Sequence, residues 1–384
     1  MVIFNFIPVT RRFITGLITL VANIIWGRIF NQKIPRGPLF VTWLLTFDCN
    51  AFCTFCGTHM LKNKYPETMK LERALEIADE IADSGTWVVG FTGGEVFLNP
   101  LLFPLIKHLK ERGLVVYLVT NGFDLKSNAE KLVNLAIDLI VVSIDYDNAY
   151  QHDEIRKVSG LYVAAIEGIE EVKRLRGQKG PIVRINTILM RENIEQFDSI
   201  LSNLLAIADD VSVQPISMGY ENNPHCRSDE RINRHLFSNL GEQQLSNLLR
   251  KNFVSNKHYK DSYNQDFYNY WIDPQSLIKT VSCWAPYLRL VIQPTGEVLH
   301  CCANKRFGSI GNVGEESIMQ VWNSAMIRQD REIIACKNNN CICWTRDTAF
   351  NSKARDLKLP NLLPYLGKKY SNNTNSGESS NTSE

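Results

Sequence analysis

From residue 39 to about 216 the chain alternates between two hydrophobic patterns. Runs rich in branched and aromatic residues read as buried strands at 39–47 (LFVTWLLTF), 86–91, 114–119, 137–144, 182–189 and 211–216. Between them, apolar residues recur at three- and four-residue intervals near 69–84, 101–112, 127–136, 161–176 and 194–208, which predicts helices. Strand–helix alternation with short links predicts an α/β fold built on a parallel sheet. Periodicity leaves an open barrel and a doubly wound sheet on equal terms. In either, the ligand-binding loops gather at the carboxyl ends of the strands.

The N-terminal segment has a different pattern. Between Arg12 and Arg28 lie 15 largely apolar residues, FITGLITLVANIIWG, fewer than the roughly 20 that span a bilayer. Arg12, Thr15, Thr19 and Asn23 recur every three or four residues and form one polar stripe on an otherwise apolar helix. The first 47 residues contain no Asp or Glu but carry Arg11, Arg12, Arg28, Lys33 and Arg36. This predicts a basic amphipathic N-terminal helix over 1–34, lying in a membrane surface with its polar stripe towards water. The competing readings are a helix packed on the catalytic domain and a signal peptide or true membrane span.

Residues 217–280 are polar and aromatic without clear periodicity and read as a connecting region. A cysteine-rich module follows over 281–345. A C-terminal segment, 346–384, ends in SNNTNSGESSNTSE, which has no apolar side chain and reads as a disordered tail.

A chain of 384 residues with formal net charge +2 has ample core but too little positive charge to suggest nucleic-acid binding. Its ten cysteines are clustered: three within 49–56 and six within 283–343, with Cys226 alone. Tight clusters separated by long cysteine-free stretches point to two metal sites in a reducing, cytoplasmic compartment rather than to disulfides.

The first cluster, Cys49, Cys53 and Cys56, has the spacing C-x3-C-x2-C. Three thiolates leave a four-iron cluster one ligand short, and the open iron can take a substrate or cofactor. Zinc binding by the same thiols is the competing reading. Polar motifs also end the next three strands: Thr92-Gly93-Gly94-Glu95, Thr120-Asn121-Gly122 and Ser143-Ile144-Asp145. Singly, each would pass for a turn. At consecutive strand ends they mark one site.

With these motifs together, residues 39–345 resemble the radical S-adenosylmethionine (radical SAM) superfamily. The resemblance implies a partial (β/α)6 TIM-like barrel over 38–216. It implies a [4Fe-4S] cluster on Cys49, Cys53 and Cys56, with S-adenosylmethionine chelating the fourth iron. It further implies reductive cleavage of that cofactor to a 5′-deoxyadenosyl radical that abstracts a substrate hydrogen, with electrons from a reductant such as flavodoxin or ferredoxin. Carried over by position, Phe55 lies near the adenine, Gly93, Gly94 and Glu95 near the amino group, Ser143 near the ribose and carboxylate, and Arg156 at the carboxylate. Asn121 and Asn186 occupy family-like positions with less uniform roles.

The C-terminal module is similar to the SPASM or twitch extension. Cys283, twelve residues, Gly296, four residues and Cys301 fit its opening, and the Gly308–Asn312 turn and Trp322 look like it too. The long form holds two extra clusters; here only Cys336, Cys341 and Cys343 follow. The resemblance therefore implies one auxiliary [4Fe-4S] cluster on Cys283 and Cys301, with Cys341 and Cys343 as the better remaining pair. Cys336 is a substitute for either, and Cys302 points away. The chain thus reads as an oxidoreductase-like biosynthetic enzyme. A small molecule or lipid-linked substrate at a membrane surface competes with a peptide or protein substrate. A purely electron-transferring iron–sulfur protein is disfavoured by the open iron site.

Overall fold

The computed structural model describes residues 11–29, 33–58, 61–62, 69–177, 180–216, 237, 240–254, 266, 268–269, 271–273, 284–300 and 308–335. Six parallel strands form its frame: β1 (Phe40–Thr46), β2 (Val88–Gly93), β3 (Val115–Thr120), β4 (Leu139–Ser143), β5 (Ile182–Leu189) and β6 (Asp210–Pro215). They neighbour one another in sequence order. The sheet continues past β1 with β7 (Arg289–Ile292), β8 (Glu297–Leu299) and β9 (Gly311–Asn312), giving nine strands in the order β6-β5-β4-β3-β2-β1-β7-β8-β9. Strand β7 is parallel to β1, whereas β8 and β9 are antiparallel. The C-terminal module therefore extends the core sheet.

Connecting helices cover one face: α2 (Leu71–Asp83), α3 (Leu102–Glu111), α4 (Leu125–Asn134), α6 (Leu161–Leu175) and α7 (Phe197–Ile207). Their apolar stripes meet alternate strand residues such as Val89, Phe91, Val116, Leu118, Ile140 and Val142 in the main core. The intervening residues Val88, Val115, Tyr117, Leu139 and Val141 form a second apolar cluster with Leu39, Trp87, Trp284 and Leu288. Both faces being covered explains why the strands read as continuous apolar runs.

This second cluster lies towards the N-terminal ends of the strands. Helix α1 (Arg11–Ala22), prolonged by a wider π turn over Asn23–Ile29, closes that end. Leu20 and Ile24 pack on the cluster, and a Cβ on Gly16 would stand 3.2 Å from Trp87. Here the structure corrects the sequence reading. Thr19 and Asn23, members of the polar stripe, are fully buried. Thr19 Oγ1 donates to Gly85 O at 3.1 Å, and Asn23 Nδ2 donates to Gly37 O at 2.9 Å and Tyr287 O at 3.1 Å. Thr19 and Asn23 face the protein because the carbonyls of Gly37, Gly85 and Tyr287 there need donors. Ile18, Val21 and Trp26 are left exposed. Among the described residues no helix is long and apolar enough to cross a membrane.

Two more helices bear on the site and the module: α5 (Ala149–Arg156), after β4, and α8 (Ile318–Trp322), in the C-terminal module. The latter starts with a capping box between Ser317 and Gln320. Trp322 Nε1 donates to Arg36 O at 2.9 Å, and Arg73 of α2 donates to Val313 O at 2.7 Å through Nη2. These bonds lock the module onto the frame.

Candidate radical SAM site

The cysteine loop begins where β1 ends, and the β2 loop grips its root. Gly94 N donates to Thr46 O and Glu95 N to Asp48 O, each at 2.7 Å. A Cβ on Gly94 would sit 1.9 Å from Asp48 O, so only glycine allows this approach. Gly93, with φ of +134°, crowds Thr46 O in the same way. The glycines thus serve first to bring two chain segments together.

Glu95 is wholly buried and joins β2 to β3. Thr120 Oγ1 donates to its Oε1 at 2.7 Å, Asn121 N to its Oε2 at 2.8 Å, and Phe97 N to Oε1 at 3.3 Å. Burial pushes its carboxyl up to about 7, against the lowering effect of those three donors. Asn121 reaches onward: its Nδ2 donates to Asn50 Oδ1 at 2.6 Å. The Glu95 side chain thus ties the loops after β2 and β3 together, and the Asn121 side chain braces the cysteine loop.

The far side of the loop rests on the end of α5. Phe52 N donates to Arg156 O at 3.2 Å and Thr54 N to Ile155 O at 2.9 Å, so the helix's last carbonyls are satisfied by the loop. The Arg156 side chain is buried beneath it. Its Nε and Nη2 bind Asp145 Oδ2 at 2.8 and 2.7 Å, and its Nη1 donates to Cys53 Sγ at 3.9 Å. Burial opposes the charge on Arg156, but Asp145 and Cys53 outweigh it and hold the guanidinium protonated. Asp145 Oδ1 accepts from Ile188 N at 2.9 Å. His152 Nδ1 accepts from Asp145 N at 3.2 Å, and burial holds that imidazole neutral.

The three thiols are free, with Cys53 buried and Cys49 and Cys56 half-buried. Burial pushes the Cys53 thiol up to about 12, with Arg156 as the main opposing influence, and Cys49 is raised by burial too. Iron ligation displaces such protons. Among the described residues no three His, Cys, Asp or Glu side chains are close enough to share one metal ion. Three unpaired thiols on one eight-residue loop, with a fixed cation beside them, fit an iron–sulfur cluster.

Ser143 and Asn186 stand level across β4 and β5, both half-buried, on the face they share with Val141 and Arg184. Phe55 is partly buried, with the Arg156 Cζ 5.3 Å from its ring centre. The auxiliary-cluster candidates Cys283, Cys301, Cys336, Cys341 and Cys343, with Cys226 and Cys302, lie outside the described residues. Their framework is described: Gly296, at φ of +85°, closes the β7–β8 turn, where a Cβ would meet Asn312 Oδ1 at 2.5 Å.

Sequence reasoning assigned no role to Asp145, His152 or Asn50. Only Asp145 carried a signal, its place at a strand end; the others depend on what folds against them.

The model of the radical SAM superfamily matches residues 43–204, and that of an iron–sulfur cluster-binding domain, SPASM, matches residues 283–345. The chain belongs to the radical SAM superfamily. It is an enzyme of that family, and the two domains imply a [4Fe-4S] cluster with S-adenosylmethionine together with auxiliary iron–sulfur binding. This radical SAM chain is 25% identical to an AdoMet-dependent heme synthase of Methanosarcina barkeri, over 84% of the chain and 93% of that relative. It is 23% identical to the antilisterial bacteriocin subtilosin biosynthesis protein AlbA of Bacillus subtilis, over 78% of the chain and 62% of that relative. Other heme synthases are matched over only 40% and 43% of their length. Streptococcus suis SuiB bound to its precursor peptide SuiA has the same fold, with TM-score 0.59 at 18% identity over 77% of this chain and 67% of SuiB.

Proposed function

We propose that this radical SAM enzyme oxidises, or forms a bond within, a small molecule that reaches it from water. The observation carrying this reading is the opposition of the two sheet ends. The cysteine loop, Glu95, Asn121 and Asp145 gather at the carboxyl ends of the strands. Helix α1 covers the other end, at Gly37, Gly85 and Tyr287. A substrate anchored in a bilayer beneath α1 would face the wrong end of the barrel, so the lipid-linked reading loses support. The likeness to a heme synthase over nearly its whole length supports a small molecule. The likeness to a subtilosin biosynthesis protein supports the second reading, a peptide substrate.

When bound, the cluster and S-adenosylmethionine supply a 5′-deoxyadenosyl radical that abstracts a substrate hydrogen. The chain's residues hold and orient. Cys49, Cys53 and Cys56 would ligate three irons; Phe55 would offer a flat apolar surface to the adenine; Ser143 and Asn186 would offer a hydroxyl and an amide to the cofactor's polar groups. Glu95, Asn121 and Asn50 keep the loop in place. Cys283 and Cys301, with two of Cys336, Cys341 and Cys343, would hold one auxiliary cluster, which would supply an electron acceptor for a net two-electron oxidation.

The outer face of α1 also supports surface association at that end. Ile18, Val21 and Trp26 are exposed within an acid-free, basic segment, which suits an anionic bilayer. Flotation with anionic vesicles should be lost in Ile18→Glu/Val21→Glu; flotation unchanged by that double variant contradicts it.

The enzyme reading is tested by anaerobic reconstitution, iron and sulfide counting and 5′-deoxyadenosine release under dithionite. About eight irons per chain and release abolished in Cys53→Ala are expected; release that persists refutes the site. Stimulation by the small-molecule fraction of a cell extract, surviving protease, supports the first substrate class. Protease-sensitive stimulation supports the second.

A further inference from the structure

We infer that Arg156 is a positioning residue that sets the reduction potential of the radical SAM cluster, by presenting a fixed positive charge to the Cys53 sulfur while Asp145 holds it. The inference rests on Cys53 being a cluster ligand.

Each of the three guanidinium nitrogens has a partner. Nε and Nη2 both go to Asp145 Oδ2, and Nη1 goes to Cys53 Sγ. Phe55 lies beside it, and Arg156 is only 6% exposed, so water does little to screen the charge. Asp145 cannot turn aside, because its other oxygen is bound to Ile188 N and its own N–H to His152 Nδ1. The cation therefore bridges the carboxylate and the sulfur, meeting each through different nitrogens.

Reduction adds an electron to a cluster and thus negative charge to its ligand sulfurs. A hydrogen bond and a positive charge at one of those sulfurs favour the reduced form and raise the potential. The order Asp145–Arg156–Cys53 makes the signs predictable. Removing the cation makes the cluster harder to reduce. Removing the carboxylate's charge leaves the cation less compensated and makes the cluster easier to reduce. This differs from a carboxylate-binding role for Arg156, which acts only when S-adenosylmethionine is present.

The test is a redox titration followed by electron paramagnetic resonance, on the full chain reconstituted anaerobically and measured without S-adenosylmethionine. The cluster in question is the one whose signal changes on later addition of that cofactor. At the potential where wild type is half reduced, Arg156→Gln should lower the reduced-to-oxidised ratio about tenfold, equivalent to about 59 mV for a one-electron couple. Asp145→Asn should raise the ratio, and Arg156→Lys should fall between wild type and Arg156→Gln. If Arg156→Gln does not retain iron, the opposed signs of Arg156→Lys and Asp145→Asn decide. An unmoved potential with only weakened S-adenosylmethionine binding overturns the inference, as does a shift of the same sign in both charge variants. A wild type with no cofactor-sensitive signal overturns the cluster assignment and the inference with it.

Discussion

Asn121 donates from Nδ2 to Asn50 Oδ1 at 2.6 Å, joining residues 71 positions apart. The same asparagine gives its backbone N–H to Glu95 and accepts from Phe123 N at 2.9 Å. The loops after β1, β2 and β3 thus meet in one polar knot. Asn121→Ala leaves Asn50 Oδ1 and the Phe123 N–H without these partners, so a loss of about 1–3 kcal/mol is expected. Denaturant unfolding of Asn121→Ala, Asn50→Ala and the double variant checks it: coupling of at least about 0.5 kcal/mol is expected for contacting residues.

Glu95 makes the knot sensitive to pH. Its folded pKa is raised to about 7 by burial, so the folded chain holds this proton more tightly than the unfolded chain. The resulting stability is fully present below the ordinary carboxylate range and is lost as pH rises through about 7. The span is on the order of 3 kcal/mol. Unfolding free energies of wild type and Glu95→Gln across pH 4 to 8 test this: the difference in slope should disappear above about pH 8. Parallel curves throughout would contradict it.

Gly94 is predicted to tolerate no side chain. An alanine Cβ there would meet Asp48 O at 1.9 Å, a backbone atom at the root of the cysteine loop. Gly94→Ala should cost about 1–3 kcal/mol or prevent folding, and soluble protein should bind less iron than wild type. A contrasting site is Gly160, where no atom lies within 4 Å of the added Cβ but φ is +80°; Gly160→Ala should cost only backbone strain, about 1 kcal/mol.

Helix α1 offers opposite expectations on its two faces. Thr19→Val leaves Gly85 O without its buried donor, and Asn23→Ala frees two carbonyls, Gly37 O and Tyr287 O. Losses of about 1–3 kcal/mol for the first and more for the second are expected. Ile18→Ser, on the exposed face, should change stability by less than about 0.5 kcal/mol. Thermal unfolding of the three variants ranks them.

Much of the frame was legible because its signals are local. The strand predicted at 182–189 matches β5 residue for residue, and the other five core strands lie within two residues of their predicted starts and ends. Helix α5 was missed because its buried residues, His152, Ile155 and Arg156, are mostly polar and carry no apolar period. Strand β7 was missed because four residues, RLVI, are too few to show one. Both matter for the site: α5 brings Arg156 under Cys53, and β7 joins the C-terminal module to β1.

What the sequence alone determined is whatever depends on spacing along the chain: three thiols in eight residues, polar motifs at successive strand ends, the alternation that makes a parallel sheet, and a helix with two unlike faces. The tertiary structure alone decided which face of that helix turns inward and where the site's charges go. A polar side chain can be buried without penalty when a partner is waiting, and the partners come from far away in sequence. Thr19 finds Gly85, 66 positions on; Asn23 finds Tyr287, 264 positions on; Cys53 finds Arg156, 103 positions on. Local pattern shows that such groups need partners, and only the packed fold supplies them.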